Sequence, residues 1–148
     1  MPIPQFDDNG NLPVGEHAAT WIEFKDRYGT NRGRRAILAK IESWLLHMRD
    51  ANCRTVFVDG SFICAKKVPG DYDACFDATG VNLNILDPCL LDQSPEGRKA
   101  IKERFGGDIR PDMVAIAGSI LTYLRFFQRD RDGNPKGIVR FNLKELDL

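Results

Sequence analysis

The sequence has no unbroken apolar run near the ~20 residues a membrane-spanning helix needs. It has no Cys-x-x-Cys pair, only two histidines, His17 and His47, and no excess charge, with 21 basic side chains against 21 acidic. Each shortage excludes something. Lacking an apolar span or a charged-then-apolar leader, the chain is expected to be soluble and cytoplasmic, with no membrane contact. Cys53, Cys64, Cys75 and Cys89 are too scattered, and the histidines too far apart, for zinc-ligand spacing. The cysteines read as small buried hydrophobes in a reducing compartment. Zero net charge gives no global field to steer the protein toward nucleic acid, so any such contact has to be local. With 148 residues and no repeat, low-complexity tract or internal linker, one domain with a real core is expected.

What is present alternates between helical and strand periodicity. Residues 1–19 hold several prolines, glycines and Asp/Asn, which is turn chemistry, so they read as an arm laid over a domain of residues 20–148 by Ile3, Phe6 and Leu12. Thr20-Trp21-Ile22-Glu23 is a capping box that starts a helix ending at Gly29. From Asn31 to Asp50, Ile37, Leu38, Ile41, Trp44, Leu45 and Met48 recur at helical spacing. The β-branched and aromatic stretch "RTVFVDG" reads as a buried strand ending at Gly60. A short helix over Phe62–Lys67, a turn at Pro69-Gly70 and a strand over Asp71–Asp77 follow. Ser94-Pro95 opens a helix through Arg104, stopped by Gly106-Gly107, and "GDIRPD" supplies a third, short strand. Met113–Phe127 reads as a helix, with a competing hairpin between Leu124–Gln128 and Ile138–Leu143 across Asp132-Gly133. The order predicts an α/β (α+β) fold with a single mixed sheet.

The chemistry concentrates in "VDGSFICAKKVPGDYDACFD", Val58 to Asp77. Gly60 at a strand end, followed by Ser61, lets backbone amides come close to an anion because no Cβ intervenes. Asp71 and Asp73 lie two apart on a strand, so both carboxylates project to one face while Tyr72 and Ala74 turn to the other. Like charges placed together are costly unless a cation sits between them, and Mg²⁺, which takes hard oxygen ligands and substrate phosphates, suits that place. Lys66, Lys67 and Lys136 are within the motif or near the end of the chain and are candidates to meet phosphate oxygens. Arg32, Arg34 and Arg35 cluster at a helix start, where they read as a solvated face, with an RNA or partner contact as the alternative.

Apolar strand, Gly60-Ser61-Phe62, a nine-residue loop and then Asp71-Tyr72-Asp73 resembles the signature of the DNA polymerase beta-like nucleotidyltransferase superfamily, with Gly70 where many small members carry Ser. The arm, "LDPCLL" and "DRDGNPKGIV" extend the likeness to a small uncharacterised bacterial nucleotidyltransferase-like family. The resemblance implies a transferase that moves a nucleoside monophosphate from an NTP to a protein, RNA or small-molecule acceptor. In it Gly60 and Ser61 hold the triphosphate, and Asp71 and Asp73 bind two Mg²⁺ ions. It also implies a third carboxylate from the next core strand, for which Asp108 is the first candidate, Asp112 the second and Asp77 the third. Small bacterial enzymes of this type often belong to toxin-antitoxin or defence pairs, so a protein partner is implied too. The alternative is a nucleotidyltransferase-like module that binds nucleotide and regulates a partner without catalysis.

Overall fold

The structure is a computed structural model and describes residues 3–112, 128 and 132–148. The helix expected over Met113–Phe127 lies outside the described residues, as does most of the first strand of the competing hairpin. The fold is α+β, one mixed five-stranded sheet with three helices among the described residues. The strands are β1 (Glu16–Ala18), β2 (Thr55–Asp59), β3 (Tyr72–Phe76), β4 (Gly107–Pro111) and β5 (Ile138–Asn142), in the order β1-β5-β2-β3-β4. β2 runs antiparallel to both β3 and β5, while β1 is parallel to β5 and β4 is parallel to β3.

Helix starts are where the capping chemistry puts them. In α1 (Trp21–Tyr28) the Thr20 hydroxyl accepts from the Glu23 amide and the Glu23 carboxylate accepts from the Thr20 amide. Asn31 caps α2 (Arg32–Asp50) and Ser94 caps α3 (Pro95–Phe105), which Gly106 closes in the left-handed region. Trp21, Phe24 and Tyr28 of α1, Ile41, Trp44, Leu45 and Met48 of α2 and Ile101 and Phe105 of α3 all pack on one sheet face, against Val56, Val58, Tyr72, Ala74, Phe76, Ile109, Val139 and Phe141. The opposite face carries a separate small cluster of Phe57, Cys75 and Ile138. Period-two alternation along β2, β3 and β5 divides these two sets.

One expectation changes. The arm does more than lie on the surface: β1 adds an edge strand to the sheet, and Leu12 is 1% exposed within the core. Among the described residues, β5 has β1 and β2 as its sheet neighbours. The Asp132-Gly133 turn itself is present, with Gly133 at φ +82° and the Lys136 amide donating to the Gln128 carbonyl at 2.7 Å. No described helix is long and apolar enough to cross a membrane.

Candidate active site

Alternation along β2 sends Val56 and Val58 into the main core and leaves Phe57 and Asp59 on the other face. Antiparallel register places Asp59 opposite Asp73 on β3, and parallel register places Asp73 beside Asp108 on β4. Three carboxylates from three neighbouring strands therefore stand in a row across the sheet, on the face opposite the one that α1, α2 and α3 cover. Adjacent strands lie ~5 Å apart, so each carboxylate feels its neighbour. Asp71 precedes β3 and, two residues before Asp73, joins the same side. Tyr72 and Ala74 turn into the core as expected, the Tyr72 hydroxyl donating to the Phe105 carbonyl at 2.9 Å.

Gly60 follows Asp59 with φ +82° and ψ −166°, a combination open to glycine almost alone. A Cβ there would run into the Asp73 carboxylate and lie 2.9 Å from its Cγ, so the turn backbone rests directly against Asp73. Beyond it the chain makes a single 3-10 turn, Ser61–Ile63, instead of the helix expected over Phe62–Lys67. The carbonyls such a helix would use are taken by Arg34: its guanidinium donates to Phe62 O at 2.6 Å, to Cys64 O at 2.9 Å and to Lys66 O. Arg34 is buried, so it does not belong to a solvated basic face; it ties the loop between Gly60 and Asp71 to α2. Without a helix, any anion at Gly60-Ser61 is held by the approach the glycine permits and not by a macrodipole.

Lys66 and Lys67 are not brought into the carboxylate row by any described contact. Both side chains are exposed and neither pairs with a carboxylate among the described residues. Their backbones matter more, with Lys67 O accepting from Asn31 Nδ2 at 2.8 Å. Asp112 lies past the far end of β4, where its amide donates to Phe76 O at 2.8 Å, and Asp77 caps its own turn by accepting from the Thr79 amide at 2.9 Å. Of the three candidates for the additional carboxylate, Asp108 is the one in the row.

Each flanking carboxylate has its own cation. Lys102 Nζ on α3 is 3.0 Å from Asp71 Oδ2, Arg110 Nε is 2.9 Å from Asp108 Oδ1, and Lys136 Nζ is 3.4 Å from Asp59 Oδ1. Asp73, at the centre, has no ion pair among the described residues. Burial first, then the charges of Asp108 and Asp71, push its carboxyl up to about 6. Burial pushes Asp59 up to about 7, against the pull of Lys136. The Asp59 side chain is 2% exposed and neither oxygen makes a well-aligned hydrogen bond, so the long ion pair to Lys136 is its main compensation.

As they stand, no three His, Cys, Asp or Glu side chains among the described residues are gathered to hold a metal ion. The donor chemistry nevertheless fits Mg²⁺: hard carboxylate oxygens on adjacent strands, the central one free of an ion pair, beside a turn with no Cβ. Asp59, Lys102 and Arg110 are the members of the site that the sequence reading missed. Asp59 had a legible signal, because it stands next to Gly60 and alternates with Phe57 and not with the core residues Val56 and Val58. A cleft of about 530 Å³ lined by Thr20, Thr55, Arg140 and Asn142 lies at the other end of β2 and holds none of these carboxylates.

Fold and site together define an α+β protein with an aspartate row across the strands beside a glycine turn. Residues 4–142 match a family of unknown function, DUF6932, and the chain belongs to it. No curated protein and no solved structure matches the chain.

Proposed function

We propose that this chain is a Mg²⁺-dependent nucleotidyltransferase that moves a nucleoside monophosphate from an NTP to a protein, RNA or small-molecule acceptor. The observation that carries this reading is the row of Asp59, Asp73 and Asp108 in strand register, with Gly60 backed against Asp73. Its support from sequence is the Gly-Ser and Asp-Tyr-Asp spacing. In the transfer, an acceptor hydroxyl oxygen bonds to the α-phosphorus, the bond from that phosphorus to the bridging oxygen breaks, and pyrophosphate leaves. The hydroxyl proton passes to a carboxylate; Asp108, with its side chain 45% exposed, is the one an entering acceptor reaches. Gly60 and Ser61 receive the phosphates, and Asp71 and Asp73 supply oxygen ligands. Bound Mg²⁺ would supply the positive charge that draws phosphate oxygens to a face otherwise rich in carboxylates.

A second reading rests on a specific observation. Three of the four carboxylates already have a protein cation, an arrangement that also suits a module that binds nucleotide and regulates a partner protein without turnover. Incubation with each α-labelled NTP, Mg²⁺ and lysate as acceptor separates the two. The enzyme labels a macromolecule or metabolite, and the double variant Asp71→Ala, Asp73→Ala abolishes the label. NTP binding with no label transfer by the wild type would establish the binding module instead.

A further inference from the structure

Of the three arginines at the start of α2, Arg32 and Arg35 are exposed and Arg34 is buried, at 4% exposed. Arg34 pairs with no carboxylate among the described residues. Its acceptors are backbone carbonyls: Phe62 O at 2.6 Å, Cys64 O at 2.9 Å and Lys66 O in the loop, and Tyr28 O at 3.5 Å at the end of α1. The guanidinium carbon also lies 5.0 Å from the centre of the Phe62 ring and 5.9 Å from that of Tyr28. A guanidinium enclosed without a counter-ion is costly to desolvate, and an apolar side chain would fill the same volume without that cost.

The carbonyls it gathers belong to the turn proposed to receive the phosphates. Ser61–Ile63 is closed by the Cys64 amide, which donates to Ser61 O at 3.3 Å, and Arg34 holds Phe62 within this turn and Cys64 at its end. Cys64 is tied back to the start of the turn, its Sγ 3.4 Å from Gly60 O. Farther along, Arg34 holds Lys66, and the Ala65 amide donates to Gly10 O at 2.9 Å, so α2 and the arm fix the loop before it reaches Asp71. A turn with no helix macrodipole behind it attracts an anion only through donors that already stand in one geometry when the ligand arrives. We infer that Arg34 is the positioning residue of the nucleotide subsite: by gathering the Phe62, Cys64 and Lys66 carbonyls it pre-forms the Gly60-Ser61 turn for the phosphates of an NTP. This rests on the nucleotide-binding part of the reading above and holds for the enzyme and the binding module alike, since both need the phosphates seated. Lysine is no substitute, because a single ammonium has neither the planar fork nor the stacking face of a guanidinium.

The test is the dissociation constant of a non-hydrolysable ATP analogue, measured by isothermal titration calorimetry at a temperature where circular dichroism shows each protein folded. Arg34→Lys, which keeps the charge, should weaken binding by about tenfold or more. Arg35→Lys, altering an exposed side chain that donates to Gly29 O at 3.3 Å, should bind as wild type does. A purely structural role would lower the melting temperature of Arg34→Lys and leave the dissociation constant of the folded protein unchanged; that result would overturn the inference and leave nucleotide binding standing. If Arg34→Lys does not fold, hydrogen exchange on the wild type decides. The amides of residues 62–67 should be protected without nucleotide and gain little when the analogue is added, whereas a loop protected only after the analogue binds would overturn the inference. No binding of the analogue by the wild type would remove the nucleotide reading itself, and the inference with it.

Discussion

The two faces of the sheet are built from the same strands and differ in almost every property. One face is apolar across the four strands β2 to β5: Val56, Val58, Tyr72, Ala74, Phe76, Ile109, Val139 and Phe141 meet three helices in a continuous core. The other has, among the described residues, the buried apolar Phe57, Cys75 and Ile138, and next to them Asp59, Asp73, Asp108 and Arg110. Because side chains alternate along a strand, every residue given to one face is denied to the other. Among the described residues the large apolar core is on the helix side, and the opposite side carries buried charge, which is costly to desolvate. That division is what a site requires: carboxylates held in place by a rigid scaffold, in an arrangement the fold alone would not favour.

The comparison breaks most heavily on the apolar side. Phe141 is fully buried and meets Phe24 edge to face, with ring centroids 5.0 Å apart and planes at 74°. Phe141→Ala should cost about 3–5 kcal/mol from lost burial and the cavity left behind, measured by urea denaturation. A loss below ~1 kcal/mol would show that the helix-side core is not what holds the sheet.

Gly60 lies where the two requirements meet, and a substitution there should have an intermediate effect. Gly60→Ala forces a side chain into a backbone region reserved for glycine and against the Asp73 carboxylate, for a loss of roughly 2–3 kcal/mol. The same variant should lose label transfer even at temperatures where circular dichroism shows it folded. A variant as stable as wild type would mean the turn has room to move away from Asp73.

Much of this plan could be read from the residues, and the failures have physical causes. Caps and alternation are local, so α1 to α3 and β2 to β4 follow from Thr20, Ser94 and the spacing of the apolar positions. β1 was not legible because Glu-His-Ala has no strand character of its own; a distant parallel partner and the bond from the Ile138 amide to Gly15 O make it a strand. The helix expected after Phe62 fails for a similarly remote reason, as Arg34 reaches across from α2 to take its carbonyls. Asp71 and Asp73 declared themselves by spacing. Asp59, in phase with Phe57 and beside Gly60, could have been read from alternation, with register setting it opposite Asp73, while Lys136 reads as a loop lysine until burial encloses it.

The smallest effect has a sign opposite to the others, which makes it the sharpest. Burial and the neighbouring carboxylates hold the Asp73 carboxyl up at about 6, above its ordinary value of 3.8, so the folded chain keeps this proton more tightly than the unfolded chain. Between those two values the folded state binds more protons, and stability falls as pH rises through the window. Below it the group is neutral in both states and costs nothing; above it the full penalty persists. Asp73→Asn should therefore match wild type near pH 4 and exceed it by about 1–2 kcal/mol at pH 8 in EDTA, after allowing for solvent screening. Loss of this charge also relieves Asp59, whose carboxyl is raised partly by Asp73, which carries the gain in the same direction. Added Mg²⁺ should reverse the order, stabilising wild type by mass action and leaving the asparagine variant unchanged. Equal stability of the two proteins at both pH values would show that the charged face carries no such penalty, and the contrast between the two faces would then be one of composition alone.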